Sequence, residues 1–321
     1  MQKLVWSKEY VKGGEALTIS LPQPETNDAY YKDIAILAYP ANSTQAFSDT
    51  VLIPKVTSSI PGAKVQFLAF NSGGTTRFKS DSLCWIQYKY PQPFTCRSII
   101  IHAGADQFRA HRLLVQVSND GYDFTTLTRL EPPRQDAQNA DAMVTHAIPA
   151  VSALYYRFVY DKAASEAGGD EPDAVHSSPA LQVAGIYLSD EPVINQYEAK
   201  NGSTGWESRQ STAQQLPDSV CVPLQSIVDL TNKTSATGQL NWQAPAGNWV
   251  IVRIGHTTTS RHQNWSPRFR EAFKKQHGYD LTPYLLAITG TPVQDAATSE
   301  KFLFEVRKTI AAKGHRLRHK D

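Results

Sequence analysis

Along residues 248–260 (NWVIVRIGHTTTS) the chain holds a nearly unbroken apolar stretch, Trp249, Val250, Ile251, Val252 and Ile254, and then turns polar. A run of that kind predicts a strand covered on both faces. The polar end, His256, Thr257, Thr258 and Thr259, stands just past the strand's carboxyl end, where ligand groups collect in parallel α/β sheets and barrels. The next block, 264–278 (NWSPRFREAFKKQHG), carries helix punctuation: Ser266 as N-cap, Pro267 at the first helical position, Phe269 and Phe273 on one face, and Gly278 as a stop. Together the two blocks predict a βα unit.

Upstream the pattern changes to short runs rich in β-branched and aromatic residues. Strands are predicted over 33–39, 98–103, 112–118, 122–130, 155–160 and 183–189. Asn119-Asp120-Gly121 is the sharpest hairpin signal, because these residues tolerate the positive φ that tight turns need. So many strands without amphipathic helices between them predict an antiparallel β-sandwich. The acidic stretch 163–174 reads as a surface loop, 193–200 as a short helix, and 240–243 as a strand. Helices follow over 282–288 and 298–312, the latter with Phe302, Val306 and Ile310 at four-residue spacing. One or two strands and three helices cannot close a barrel, which takes roughly 250 residues. The second part is therefore expected to be incomplete, to borrow from residues 1–29, or to pack as an appendage.

Composition narrows the function classes. A length of 321 residues with 41% apolar content suits two globular domains. A formal charge of +2 argues against a nucleic-acid or anionic-membrane partner, and the basic tail 313–320 reads as a solvated end. No apolar run has the length of a membrane span, and 1–10 lacks the pattern of a secretion signal. Cys84, Cys96 and Cys221 show no metal-ligand or disulfide spacing and read as small buried hydrophobes.

Several blocks carry a family resemblance: 33–40 (DIAILAYP), 227–231 (IVDLT), 238–255 (GQLNWQAPAGNWVIVRIG) with its His-Thr-Thr-Thr, 263–270 (QNWSPRFR), 278–285 (GYDLTPYL) and 301–310 (KFLFEVRKTI). In this order they resemble bacterial α-L-rhamnosidases of glycoside hydrolase family 106. The stretch 113–130 (LLVQVSNDGYDFTTLTRL) is similar to the hairpin of discoidin-like, galactose-binding-like sandwiches. The resemblance implies hydrolysis of terminal α-L-rhamnosyl linkages with inversion, an (α/β)8 catalytic barrel, export to the periplasm or beyond, and calcium as the one cofactor to consider. Family sequence is expected before and after this chain. A further family segment containing an acidic strand motif is replaced here by Ser260-Arg261-His262.

Glycoside hydrolysis needs two carboxyl groups flanking the scissile bond. None of the identified strands ends in such a group. Glu207 stands in a polar loop, Asp229 in a turn, and Glu271, Asp280 and Glu305 on helices or their ends, so each reads as a surface or capping carboxylate, with Asp229 the best remaining candidate. The catalytic residues are thus unknown from sequence. The candidate sugar-binding residues are His256, Thr257, Arg253 and Trp265. For His256 two readings stand, a hydrogen bond to vicinal sugar hydroxyls or one to a backbone carbonyl. Arg253 binds a sugar oxygen or a structural acid, and Trp265 stacks on a sugar or packs on the following helix. On the sandwich, Asn71, Arg77, Trp85 and Tyr122 have suitable residue types, although strand aromatics are usually core.

The expected organisation is a barrel-derived segment over 1–29, a galactose-binding-like β-sandwich over 30–190, a linker over 191–214, a partial α/β module over 215–312 and the tail over 313–321. The fold class is mainly β with an α/β part. The expected function is an α-L-rhamnosidase-like glycoside hydrolase fragment that acts on or binds rhamnose-containing glycans, with impaired catalysis. The alternatives are a non-catalytic carbohydrate-binding module or a fragment without an independent role.

Overall fold

A computed structural model of the chain describes residues 2–28, 30–48, 50–70, 76–79, 84–103, 113–130, 143–160, 180–193, 218–258, 267–278 and 280–294. The helices expected over 193–200 and 298–312, the loop at 163–174, and Asn71, Glu207, Trp265, Ser266 and Glu305 lie outside these. The chain forms two units, one chiefly Met1–Phe47 with Ala213–Asp321, the other chiefly Ser48–Asn195. Its strands are β1 (Gln2–Gly13), β2 (Ala16–Ser20), β3 (Tyr30–Pro40), β4 (Lys55–Ser58), β5 (Thr76–Lys79), β6 (Cys84–Ala103), β7 (Leu113–Ser118), β8 (Thr125–Leu130), β9 (Met143–Tyr160), β10 (Ala180–Ser189), β11 (Val228–Asp229), β12 (Gln239–Gln243) and β13 (Gly247–Thr258). Two helices follow, α1 (Pro267–His277) and α2 (Thr282–Ile288).

In the first unit the sheet order is β1-β13-β3-β11, and β12 pairs with β2. The apolar run of β13 sits second in this sheet, and Trp249–Ile254 are all buried, as a two-faced strand requires. Its neighbours correct the parallel-sheet premise. Both β1 and β3 run antiparallel to it, so a continuous apolar run here reflects cover on both faces and not parallel pairing. One face, through Ile36, Ala38, Trp249 and Ile251, packs on Leu21, Leu240 and Trp242 beside the β2–β12 pair. On the other, Tyr39 reaches Thr291 just beyond α2 (2.9 Å), and every residue of α2 is buried.

The sandwich was expected to begin at residue 30. Instead β3 joins the sheet of β13, where its buried run Ile34–Tyr39 pairs with an equally two-faced strand. Residues 1–29 supply β1 and β2 to this same unit. Helix α1 ends as the sequence predicts: Gly278 adopts φ 75° and its N–H donates to Lys274 O (2.9 Å).

The second unit is the β-sandwich, made by folding one seven-stranded sheet over on itself. Two strands, β6 and β9, are long enough to serve both layers. Residues 84–89 of β6 pair with 155–160 of β9 and with β4, whereas 98–103 pair with 143–147 and with β10. The pairing breaks between Lys89 and Phe94, where Pro91 and Pro93 have no N–H to give to a ladder. The Tyr156 hydroxyl bridges this break by donating to Phe94 O (2.6 Å) and lying against Val151 O (2.9 Å). Across the layers the Tyr88 hydroxyl donates to Ile186 O (2.8 Å). The hairpin turn is as predicted, with Gly121 at φ 82° and Asp120 Oδ1 accepting from Tyr122 N and Asp123 N. Cys84, Cys96 and Cys221 are buried thiols outside any disulfide, and burial pushes Cys96 up to about 12.

Tyr156→Phe leaves the ring packing intact and strands two carbonyls at the fold of the sheet. We expect about 1–3 kcal/mol of destabilisation, read by thermal unfolding of the full chain.

Candidate functional site

The carboxyl end of β13 meets the amino ends of β1 and β3, because the pairing is antiparallel on both sides. Along β13 the side chains alternate. Arg253, Gly255 and Thr257 take one face, and Ile254 and His256 the other. Between Ile254 and Gly255 the register with β3 slips, Ala35 and Asp33 being their respective partners, so Ile34 is an extra residue on β3. The slip brings Asp33 to Arg253.

Arg253 is only 3% exposed, and each of its nitrogens has a protein acceptor. Nε and Nη2 fork onto Asp33 Oδ1 (2.8 Å) and Oδ2 (2.9 Å), while Nη1 donates to Leu21 O (2.7 Å). The Tyr31 hydroxyl adds a bond to Asp33 Oδ1 (2.7 Å), and its ring lies against the guanidinium. Burial and the Asp33 carboxylate push the Tyr31 phenol far up, and the bonds to Asp33 raise Arg253 further. Gly255 is required beneath that ring, since an added Cβ would lie 2.2 Å from Tyr31 Cε2. Arg253 was a candidate sugar ligand; the structure makes it a fixed ion pair instead.

Thr257 is likewise engaged. It is fully buried, its hydroxyl donates to Asp28 Oδ2, and it accepts from the Thr26 hydroxyl (3.0 Å). Nothing in the local pattern singled out Thr26, Asp28, Tyr31 or Asp33 as site residues. Only the spacing Thr26-x-Asp28, which forms a turn through Asp28 N and Thr26 Oγ1 (3.1 Å), is a local signal.

His256 differs from both. It is 1% exposed, yet neither Nδ1 nor Nε2 has a hydrogen-bond partner among the described residues. Its described ring neighbour is Tyr30, edge-on at 6.3 Å. The bond to a backbone carbonyl that the sequence left open is not made. Burial pushes the imidazole below its ordinary value, and the nearby Asp28 carboxylate opposes that shift without cancelling it. A buried imidazole with both nitrogens vacant is costly unless something completes it.

The carboxylates named from sequence have structural duties. Asp229 Oδ1 accepts from Thr231 N (2.9 Å) and the Thr231 hydroxyl (2.5 Å), and Oδ2 takes Arg270 Nη2 (3.0 Å). Asp280 caps α2 through Thr282 N (2.9 Å) and meets Lys274 (3.2 Å). Burial works to raise the Asp280 pKa, but these bonds hold it low. Among the described residues no three His, Cys, Asp or Glu side chains converge as a metal site. On the sandwich, Trp85 lies 4.8 Å from the Arg157 guanidinium and Tyr122 is 89% exposed, while Arg77 sits on β5.

The model of the α-L-rhamnosidase family, glycoside hydrolase family 106, matches residues 1–262 and 260–317. The chain belongs to this family. The rhamnosidase of Novosphingobium sp. PP1Y shares its fold at a TM-score of 0.61 and 21% identity, over 97% of this chain and 34% of that one. A Formosa agariphila protein with a provisional beta-glucuronidase name is 23% identical over 151 residues, covering 30% of this chain and 13% of its own. A CBM32 module of Clostridium perfringens, solved with GalNAc-beta-1,3-galactose, aligns at 12% identity and a TM-score of 0.32, over 43% of this chain and 99% of its own. This family member therefore spans about a third of the rhamnosidase structure it matches.

Two outcomes follow. Asp33→Ala leaves the Arg253 charge buried with one carbonyl, and we expect about 3 kcal/mol of destabilisation by thermal or urea unfolding. Because the folded state disfavours protonated His256, it binds fewer protons than the unfolded chain below an ordinary imidazole pKa of about 6.5. Its contribution is present above that value and lost as pH falls toward the folded pKa. The stability gap between wild type and His256→Gln should therefore narrow from pH 7.5 to pH 5, measured by thermal unfolding across buffers.

Proposed function

We propose that this family member binds rhamnose-containing glycans at the carboxyl end of β13, with His256 as the sugar-facing group and hydrolysis impaired. The observation that supports the reading is the vacant imidazole. A neutral ring offers one donor and one acceptor, which vicinal hydroxyls of a sugar can satisfy together. Its neighbours Thr257 and Arg253 are consumed by the protein, so they serve as the frame that holds the strand end, and Trp265 completes the set only in this proposal. Membership of the α-L-rhamnosidase family supports rhamnose as the sugar.

Impairment rests on the carboxylates. Among the described residues, the two beside this strand end are Asp28, which takes the Thr257 hydroxyl, and Asp33, which is forked by Arg253. Inversion needs a free acid and a free base roughly 6.5–9.5 Å apart, and both oxygens of Asp33 are engaged by Arg253. The family match comes in two stretches that meet at 260–262, which supports the absence of the intervening acidic motif. No described helix is long and apolar enough to span a membrane.

The test is titration of L-rhamnose by NMR beside hydrolysis of 4-nitrophenyl α-L-rhamnopyranoside. Wild type should bind rhamnose saturably with turnover near the blank, and His256→Ala should weaken binding about tenfold with an unchanged circular dichroism spectrum. Binding equal in both proteins would remove His256 from the site. Fast turnover by wild type would overturn the impairment.

A further inference from the structure

The outward face of the sandwich layer formed by β4, β6, β9, β7 and β8 carries positive charge with no acid beside it on the described strands. The strand segments 55–58, 84–89, 113–118, 125–130 and 155–160 contain no Asp or Glu. Lys55 and Lys89 are direct cross-strand partners, both exposed, and neither forms an ion pair among the described residues. Like charges placed opposite one another destabilise a ladder, so this pair is a cost the isolated fold leaves standing.

Arg157 lies at the centre of the same face. Its guanidinium sits 3.4 Å from the Phe124 ring centroid and 4.8 Å from that of Trp85. Nε and Nη2 share a single amide oxygen, Gln87 Oε1, at 2.9 and 2.7 Å. Burial alone lowers the Arg157 pKa, with no carboxylate acting to raise it. In this respect it is the reverse of Arg253, whose charge is answered by a forked carboxylate. Lys89 lies over the Tyr155 ring at 5.4 Å, and Arg129 stands on the far side of the sheet opposite Leu114. Among the described residues, the acids nearest these segments in sequence are Asp120 and Asp123 in the β7–β8 turn, and Asp120 is occupied by backbone N–H groups.

We propose that this face is a binding platform for a carboxylated polysaccharide, a chain of uronate sugars. Guanidinium and ammonium groups pair with the carboxylates, Arg by its planar fork. The rims of Trp85, Phe124 and Tyr155 contact the apolar faces of sugar rings, and the Gln87 and Gln116 amides meet hydroxyls. Adjacent strands about 4.8 Å apart present the charges as a lattice that one extended polymer crosses, and not as a pocket for one sugar. Amides interleaved with the cations favour a polyhydroxylated polyanion over nucleic acid. The proposal is independent of the His256 site and makes no use of hydrolysis.

The experiment is native affinity electrophoresis of the full chain in gels cast with polygalacturonate, dextran or poly(dT) at matched concentration. Polygalacturonate should retard the wild type and dextran should not. Arg157→Gln and the fully surface Lys89→Gln should each weaken retardation, Arg157→Gln by about tenfold in apparent Kd. Lys89→Gln, which removes an exposed charge and only the contact of its ammonium with the Tyr155 ring, separates loss of binding from loss of fold. No retardation, retardation unchanged in both variants, or tighter binding to poly(dT) would each overturn the assignment.

Discussion

Much of the first unit hangs on one guanidinium. Arg253 leaves the central strand β13, forks onto Asp33 across a slipped register in β3, and reaches Leu21 O in the segment that follows β2. Two nearby segments of the amino-terminal part and a strand more than two hundred residues on are thereby set at fixed distances. A buried ion pair of this sort adds little net stability, because desolvation offsets the attraction, but it is intolerant of misplacement and so selects one arrangement. Its surroundings are built to fit. Gly238, at φ 86°, leaves room for Nη1, and Gly255 leaves room for the Tyr31 ring that braces Asp33.

The consequence reaches the candidate site. With Leu21 fixed, the segment up to Asp28 is delivered to Thr257, whose hydroxyl joins it through Asp28 and Thr26. Strand alternation then puts His256 on the opposite face from that network. The same geometry that satisfies Arg253 and Thr257 thus leaves the imidazole between them in sequence without a partner. Polar side chains at one strand end divide into a frame and a vacancy, and the division is set by which face each residue takes.

The two units solve sheet burial differently. In the first, a strand apolar on both faces lies inside an antiparallel sheet with cover on each side. In the second, strands that alternate inward and outward fold one sheet into two layers, with prolines at the crease and Tyr156 holding it. That alternation also creates an outward face, and there the sequence placed cations and half-buried aromatics without acids.

By itself, the sequence determined what local pattern can carry. The apolar run of β13, the Asn119-Asp120-Gly121 turn, the Gly278 stop and the short strands of the sandwich are properties of a few adjacent residues and their backbone preferences. The ordered blocks likewise sufficed for the family. Pairing partners were not legible. Whether β13 runs parallel or antiparallel to its neighbours, and whether β3 opens the sandwich or joins the other sheet, depends on contacts between segments some two hundred residues apart, which no window of sequence contains. For the same reason Arg253 stood open between a sugar ligand and a structural ion pair, because Asp33 is its neighbour only once β3 and β13 pair. His256 stood open between a sugar hydrogen bond and one to a backbone carbonyl, because an absent hydrogen bond becomes visible only when everything around the ring is in place.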